Sequence, residues 1–221
     1  MKLTNPIKKA TPLYQQAYKE IKHAILTGRI KPGEKIAETI LADQLQISRT
    51  PIREAFRLLQ TEGLLIVDHF NTWVMELSLD DFEELSTCRL ILEREAIQIA
   101  IHCISEEDVR RLEVSIERSE EALNKGNHLE ALEFFSEFHA ILDCAVPNRR
   151  LTHMLEQIRS FLLLYRARTL VFSDLNHLIV EEHRVIFEAV KQKNLEKAMK
   201  AVEYHLRGDV ERTREIFNQM I

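Results

Sequence analysis

From Thr11 to Gly28 the apolar residues Leu13, Ala17, Ile21 and Ala24 or Ile25 return every three to four positions, the period of one helix face. Gly28 ends that helix, and Lys31-Pro32-Gly33 supplies a turn. Ile40, Leu41 and Leu45 give the core side of a short second helix over about Ala37 to Leu45. A third helix follows within Gln46 to Gly63, with Ser48 at the N-cap and Pro51 in the first turn, where its missing N–H costs nothing. Ile52, Ala55, Phe56 and Leu59 recur at i, i+3, i+4 and i+7, while Arg49, Arg53 and Arg57 stand four apart on another face. The pattern then shortens. Leu64 to Val67 and Thr72 to Leu77 read as the strands of a small hairpin, with Asp68-His69-Phe70-Asn71 as its turn.

From Ser78 onward no strand pattern remains. Six amphipathic helices fit, at about 79–103, 106–125, 128–145, 148–171, 174–192 and 195–219. Ser78 with Asp81, Ser105 with Asp108, and Asn127 with Glu130 repeat an N-cap signal, while Gly126 and Pro147 mark breaks. Short connections between long helices imply an antiparallel bundle, a scaffold that builds ligand sites from inward side chains. The fold class is therefore mainly α. Residues 1–77 form a three-helix unit with a β hairpin, and residues 78–221 an all-α antiparallel bundle of about six helices. The five glycines and five prolines among 221 residues agree with a chain poor in long loops. Residues 1–10, with three lysines and no acid, read as a loose arm.

The net charge of −5 changes meaning once it is divided. Residues 1–77 hold eleven Lys/Arg against eight Asp/Glu, which is +3; the rest hold nineteen against twenty-seven, which is −8. The basic share lies with the short helices. No stretch approaches the ~18 apolar residues of a membrane span, and the start MKLTNPIKK has no signal-peptide core, so a cytoplasmic protein that does not engage membranes is expected. Cys88, Cys103 and Cys144 are odd in number, widely spaced and set among apolar neighbours, which predicts buried, reduced thiols.

A short helix that shows Arg49, Thr50 and Arg53 near its N-terminus suits a DNA major groove, where arginine pairs with guanine edges or phosphates. The competing reading is an amphipathic helix with three solvated arginines. The runs "ILTGRIKPGEKI", "LADQLQIS" and "SRTPIREAFRLLQTEGLL" resemble the GntR family of bacterial transcription regulators over roughly residues 10 to 67. That resemblance implies a winged helix-turn-helix that binds double-stranded operator DNA through Arg49, Thr50 and Arg53, with Arg57 or Lys35 as further contacts; His69 in the hairpin turn could touch a phosphate or be a plain surface residue. Wings of the family carry a glycine and a basic residue at the tip; this chain has Phe70-Asn71-Thr72 and lacks that means of entering the minor groove.

Three of the nine histidines sit on expected inward faces of three different helices: His139, His183 and His205. Three converging imidazoles would bind Zn²⁺, Ni²⁺ or Mn²⁺; each by itself would equally serve as a hydrogen-bonded core residue. The segments "FFSEFHAILDCAVPNRRL" and "EEHRVIFEAVKQKNLEKAMKAVEYHL" resemble the effector-binding FCD domain of the FadR subfamily, over most of residues 79 to 215. The resemblance implies one divalent metal per chain held by His139, His183 and His205. It also places an aspartate four residues before the first histidine, where this chain has Phe135; Asp143, one turn after His139, is the candidate replacement. Arg89 often faces the cavity in the subfamily, which implies a small organic acid or sugar acid as effector, and Asn148 matches an asparagine common there; Glu93, one turn from Arg89, and Arg166 are further pocket candidates. Arg89 and Glu93 read equally as an exposed i, i+4 pair, and Asn148 as a helix cap.

Three functions compete. The first is a ligand-responsive regulator, a repressor that binds a pseudo-palindromic operator as a homodimer. The second is a metal-dependent enzyme that uses the three histidines, although no HExxH-type run or obvious general base accompanies them. The third, a DNA-packaging protein, fits poorly with the acidic larger half.

Overall fold

A computed structural model describes residues 11–68, 71–172 and 176–220. The expected arm at residues 1–10 and the hairpin residues His69 and Phe70 lie outside the described residues. The chain divides into two compact units, Met1–Glu76 and Leu77–Ile221.

The first unit contains α1 (Leu13–Leu26), β1 (Lys35–Ile36), α2 (Glu38–Leu45), α3 (Arg49–Thr61), β2 (Leu65–Asp68) and β3 (Asn71–Val74). Its core is the seam between α1 and α3. Ala17, Ile21, Ala24 and Ile25 meet Ile52, Ala55, Phe56 and Leu59, all buried, so the stripe read from the spacing is the packed one. Leu13 at the head of α1 is exposed. On α2 the buried pair is Leu41 and Ala42, and Ile40 points outward at 57% exposure. Eight residues are barely two turns, too few for apolar spacing to fix the phase of a helix face. Gln46 ends α2 at a positive φ of 55°, and its neighbour Ile47 returns a hydrogen bond to Ala42 O, which sets the turn into α3.

The hairpin is one edge of a three-stranded antiparallel sheet in the order β1-β3-β2. Trp73 on β3 pairs with Ile66 on one side and Lys35 on the other. Strand β1, two residues long, sits in what the sequence presents only as a turn; it is too short to carry any periodicity. Ser48 stands at the N-cap of α3 with extended backbone, but its hydroxyl makes no cap hydrogen bond.

The second unit holds α4 (Leu79–Cys103), α5 (Glu106–Asn124), α6 (His128–Cys144), α7 (Arg149–Phe172), α8 (Asn176–Lys191) and α9 (Leu195–Met220). The caps do what their sequence signals suggest: Ser78, Ser105 and Asn127 accept from the N–H groups of Asp81, Asp108 and Glu130. Helix α4 packs on α9, α7 and α6, while α8 packs on α9 and α5, so α6, α8 and α9 bring their buried faces around one interior. Tyr165 of α7, fully buried, donates to Asp81 Oδ2 at 2.8 Å and accepts from Ser78 N, tying the start of α4 to the bundle. The three cysteines are exposed rather than buried, and none is disulfide-bonded. Apolar neighbours in sequence lie on other faces of a helix, so they say little about the cysteine between them. No helix among the described residues is long and apolar enough to cross a membrane.

Candidate nucleic-acid interface and candidate metal centre

The outer face of α3 presents Arg49, Thr50, Arg53 and Arg57, all exposed. Two of these arginines are not free. Glu38, the first residue of α2, accepts from Arg53 Nε at 3.1 Å and Nη2 at 3.1 Å, and from Arg49 Nη2 at 3.3 Å. The hydrogen bond from Arg53 holds the Glu38 carboxyl below the usual carboxylate range. Arg57 makes no ion pair among the described residues. Lys35 lies over the Trp73 ring, 5.8 Å from its centroid, and Ile66, Val67 and Trp73 expose apolar surface on the sheet. His69 lies outside the described residues.

The three inward histidines come together. His139 of α6, His183 of α8 and His205 of α9 are buried, with one ring nitrogen of each within 4.8 Å of the others. Carboxylates orient two of the rings. His139 Nδ1 faces Glu93 Oε2 at 3.3 Å, and His205 Nδ1 faces Glu182 Oε2 at 2.7 Å. An ionised carboxylate only accepts, so each Nδ1 carries the proton and each Nε2 is left as an acceptor; that of His139 receives Arg89 Nη2 at 3.2 Å, a contact that a bound ion would displace. The two Nε2 atoms are 3.2 Å apart. Lone pairs at that distance repel unless a proton or a cation stands between them, and two nitrogens on one ion at ~2.0–2.1 Å each lie about 3 Å apart.

His183 supplies the second sign of a missing partner. Its ring stacks on Phe138 at 4.3 Å and meets Phe135 edge-on at 5.2 Å, yet neither ring nitrogen has a hydrogen-bond partner. A buried orphan of this kind costs about 1–3 kcal/mol. The donor set of three neutral imidazoles with open positions, two of them backed by carboxylates, fits a divalent transition-metal ion.

Phe135 is buried, so the position four before His139 supplies an aromatic edge and no carboxylate. Asp143 does not replace it, because its carboxylate pairs with Arg159 of α7. The carboxylate that does approach is Asp209, one turn after His205 on α9, with Oδ2 3.7 Å from His205 Nε2. Asp209 also accepts from Arg89 Nη1 at 2.8 Å and Arg212 Nη2 at 2.7 Å, and Arg212 closes a bidentate pair with Glu182 at 2.6 and 2.9 Å. Gly208 makes room for that pair, since a Cβ there would stand 2.9 Å from Arg212 Nη1.

Arg89 and Glu93 are buried, not an exposed pair: Arg89 Nε donates to Glu93 at 2.6 Å, and Nη2 reaches His139 Nε2 at 3.2 Å. Asn148 caps α7, accepting from Arg150 N and Leu151 N at 3.2 Å. Arg166 has no ion pair among the described residues and, with Arg89, Asp209, Thr169 and Thr213, lines a cavity of about 20 Å³, room for little more than a water. Burial brings the Arg166 guanidinium down to about 10.

Burial keeps His139 and His183 neutral. Burial pushes His139 down to about 3 and, aided by the neighbouring His205 and His139, pushes His183 well below its usual value. Burial would raise Glu93 and Asp209, but the Arg89 guanidinium bonded to both holds the two carboxyls down. The consequence for stability has a definite sign. An unfolded histidine takes a proton near ~6.5 while folded His139 and His183 refuse it, so chelator-stripped protein loses stability as pH falls below about 6.5, the His139 share down to about 3. The slope is on the order of 1 kcal/mol per pH unit for each histidine. Thermal melts of the stripped protein should therefore drop by several degrees between pH 7 and pH 5; a flat profile would mean that the rings protonate within the fold.

Glu38, Glu182, Asp209, Arg159 and Arg212 do not stand out in the sequence. Only Asp209 carries a usable signal, its i+4 spacing from an inward histidine.

Residues 13–73 match the profile of "Bacterial regulatory proteins, gntR family", and residues 84–208 match that of the FCD domain. The chain is 36% identical over 213 residues to the "Uncharacterized HTH-type transcriptional regulator YdhC" of Bacillus subtilis (strain 168), covering 96% of this chain and 95% of that protein. It is 28% identical over 204 residues to the HTH-type transcriptional regulator LutR of the same organism, covering 82% and 92%. Among solved structures, Escherichia coli McbR/YncC superposes with a TM-score of 0.78 at 22% identity, over 96% of this chain and all of that one.

Proposed function

Because the chain belongs to the GntR family of bacterial transcription regulators and carries an FCD domain after its helix-turn-helix, we propose that it is a ligand-responsive repressor. In this reading residues 1–77 bind DNA, and residues 78–221 form a homodimer and hold an acid effector beside a divalent metal. Two copies dock on a pseudo-palindromic operator in the cytoplasm. Kinship also decides against the metal-dependent enzyme, since the relatives are named as HTH-type transcriptional regulators.

The DNA side is carried by Arg49, Thr50 and Arg53, with Arg57 as a phosphate contact and Lys35 at the sheet. A unit of charge +3 releases few counterions, so pairing two of them on one operator raises affinity. The sensing side rests on one observation, the converging ring nitrogens of His139, His183 and His205 with His183 left unpartnered. These three histidines would hold the ion, which supplies a Lewis-acidic anchor for an acid's oxygens. Charge balance favours an anionic effector. Arg89, Arg166 and Arg212 face Glu93, Glu182 and Asp209, so these six charges balance, and a divalent ion adds an excess that a small carboxylate or sugar acid offsets. Such a ligand exceeds the present cavity; Arg166, with no anion of its own, is the side chain that would turn toward it.

The test begins with selection from a random duplex pool by the purified protein. A two-fold symmetric consensus is expected, with affinity reduced by some members of a carboxylate and sugar-acid panel when metal is present. Absence of any consensus would defeat the DNA reading, and release that ignores both acids and metal would defeat the sensing one.

A further inference from the structure

We propose that Glu38 is a positioning residue that makes Arg53 a reader of guanine rather than a phosphate clamp, an inference that rests on the DNA-binding reading above. A guanidinium has two edges that can donate in pairs. The side edge comprises Nε and one Nη; the end edge comprises both Nη groups. Glu38 takes the side edge of Arg53, with Nε and Nη2 both 3.1 Å from its oxygens. The end edge keeps Nη1 without a partner among the described residues on a side chain 53% exposed, and paired donors of that kind match O6 and N7 of guanine in the major groove.

Three further features support this division of labour. Glu38 is the more enclosed partner, with a side chain 24% exposed against 53% for Arg53, so the carboxylate is the fixed post and the arginine the presented group. A carboxylate at the root of the guanidinium repels phosphate oxygens, whereas a base edge carries no net charge. Arg57, one turn further along α3, has no such carboxylate among the described residues and keeps the charge that a phosphate contact uses. Glu38 also engages Arg49 Nη2, so one side chain on α2 orders two arginines on α3 before DNA arrives.

The experiment compares wild type, Glu38→Gln and Arg53→Ala on the duplex selected by wild type and on a scrambled duplex, with circular dichroism as the fold control. Glu38→Gln should lower discrimination between the two duplexes by roughly 5- to 150-fold per half-site, the worth of one good bidentate base contact. Its affinity for the scrambled duplex should hold or rise, because a negative charge facing the phosphates is gone. Fresh selections with the two variants should lose information at the same base pair. Unchanged discrimination, an equal loss on both duplexes, or loss at different base pairs would each overturn the proposal. A wild type that selects nothing would overturn the DNA-binding reading itself.

Discussion

Arg53→Ala lowers operator affinity by roughly 30- to 10⁴-fold without unfolding the protein. Each bidentate arginine–guanine contact is worth about 1–3 kcal/mol, and the proposed homodimer would lose two at once. Stability should hardly move, since Arg53 is half exposed and exposed substitutions usually stay within about 0.5 kcal/mol. Its partner Glu38 is left without a cation but remains in contact with water and with Arg49. Fluorescence anisotropy at one fixed salt concentration, beside a thermal melt, separates the two effects. Binding at wild-type strength would mean that α3 does not enter the groove by this face; a collapse of the melt would mean that the Glu38 bridge holds α2 to α3.

The second large effect is thermal. Adding Zn²⁺, Ni²⁺ or Mn²⁺ to stripped protein at about 100 times its dissociation constant stabilises the folded form by about 2.7 kcal/mol. For a unit of this size that corresponds to an upward shift of about 5–10 °C. His183→Phe keeps an aromatic ring against Phe138 while removing both nitrogens, so its baseline is informative. The metal-induced shift, not the baseline, should vanish. Elemental analysis of protein purified without chelators should agree, with about one ion per chain in wild type and none in the variant. A shift that survives His183→Phe would place the ion elsewhere; no shift in wild type would leave the histidines as direct partners of an organic ligand.

What the sequence discloses follows the physics of periodicity. The α3 stripe, the caps at Ser78, Ser105 and Asn127, and the inward turn of His139, His183 and His205 all rest on repeats long enough to fix a helix phase. Short elements defeat the same reasoning, which is why β1 hides inside a turn and why α2 buries Ala42 instead of Ile40. Partners chosen across helices are the least legible. Glu182 follows Glu181 and precedes His183 without any mark of its role, and Asp143 sits one turn from His139 yet pairs with Arg159 on a neighbouring helix. The Glu38 bridge spans α2 and α3 in the same way. Phe135 is the instructive case: the sequence reveals that a carboxylate is absent, and only the fold reveals that Asp209 stands near the histidines from another helix.

Around the histidines, Glu93, Arg89, Asp209, Arg212 and Glu182 form a line of alternating charge, each member bonded to the next. Removing one member strands its neighbours, at about 3–5 kcal/mol for a buried pair, while replacing two together can be nearly neutral. Drift at these positions is therefore confined to coordinated steps. The lineage can reshape this interior only by changing such residues in pairs, which makes the interior slow to diversify while the exposed face of α3 is free to change singly.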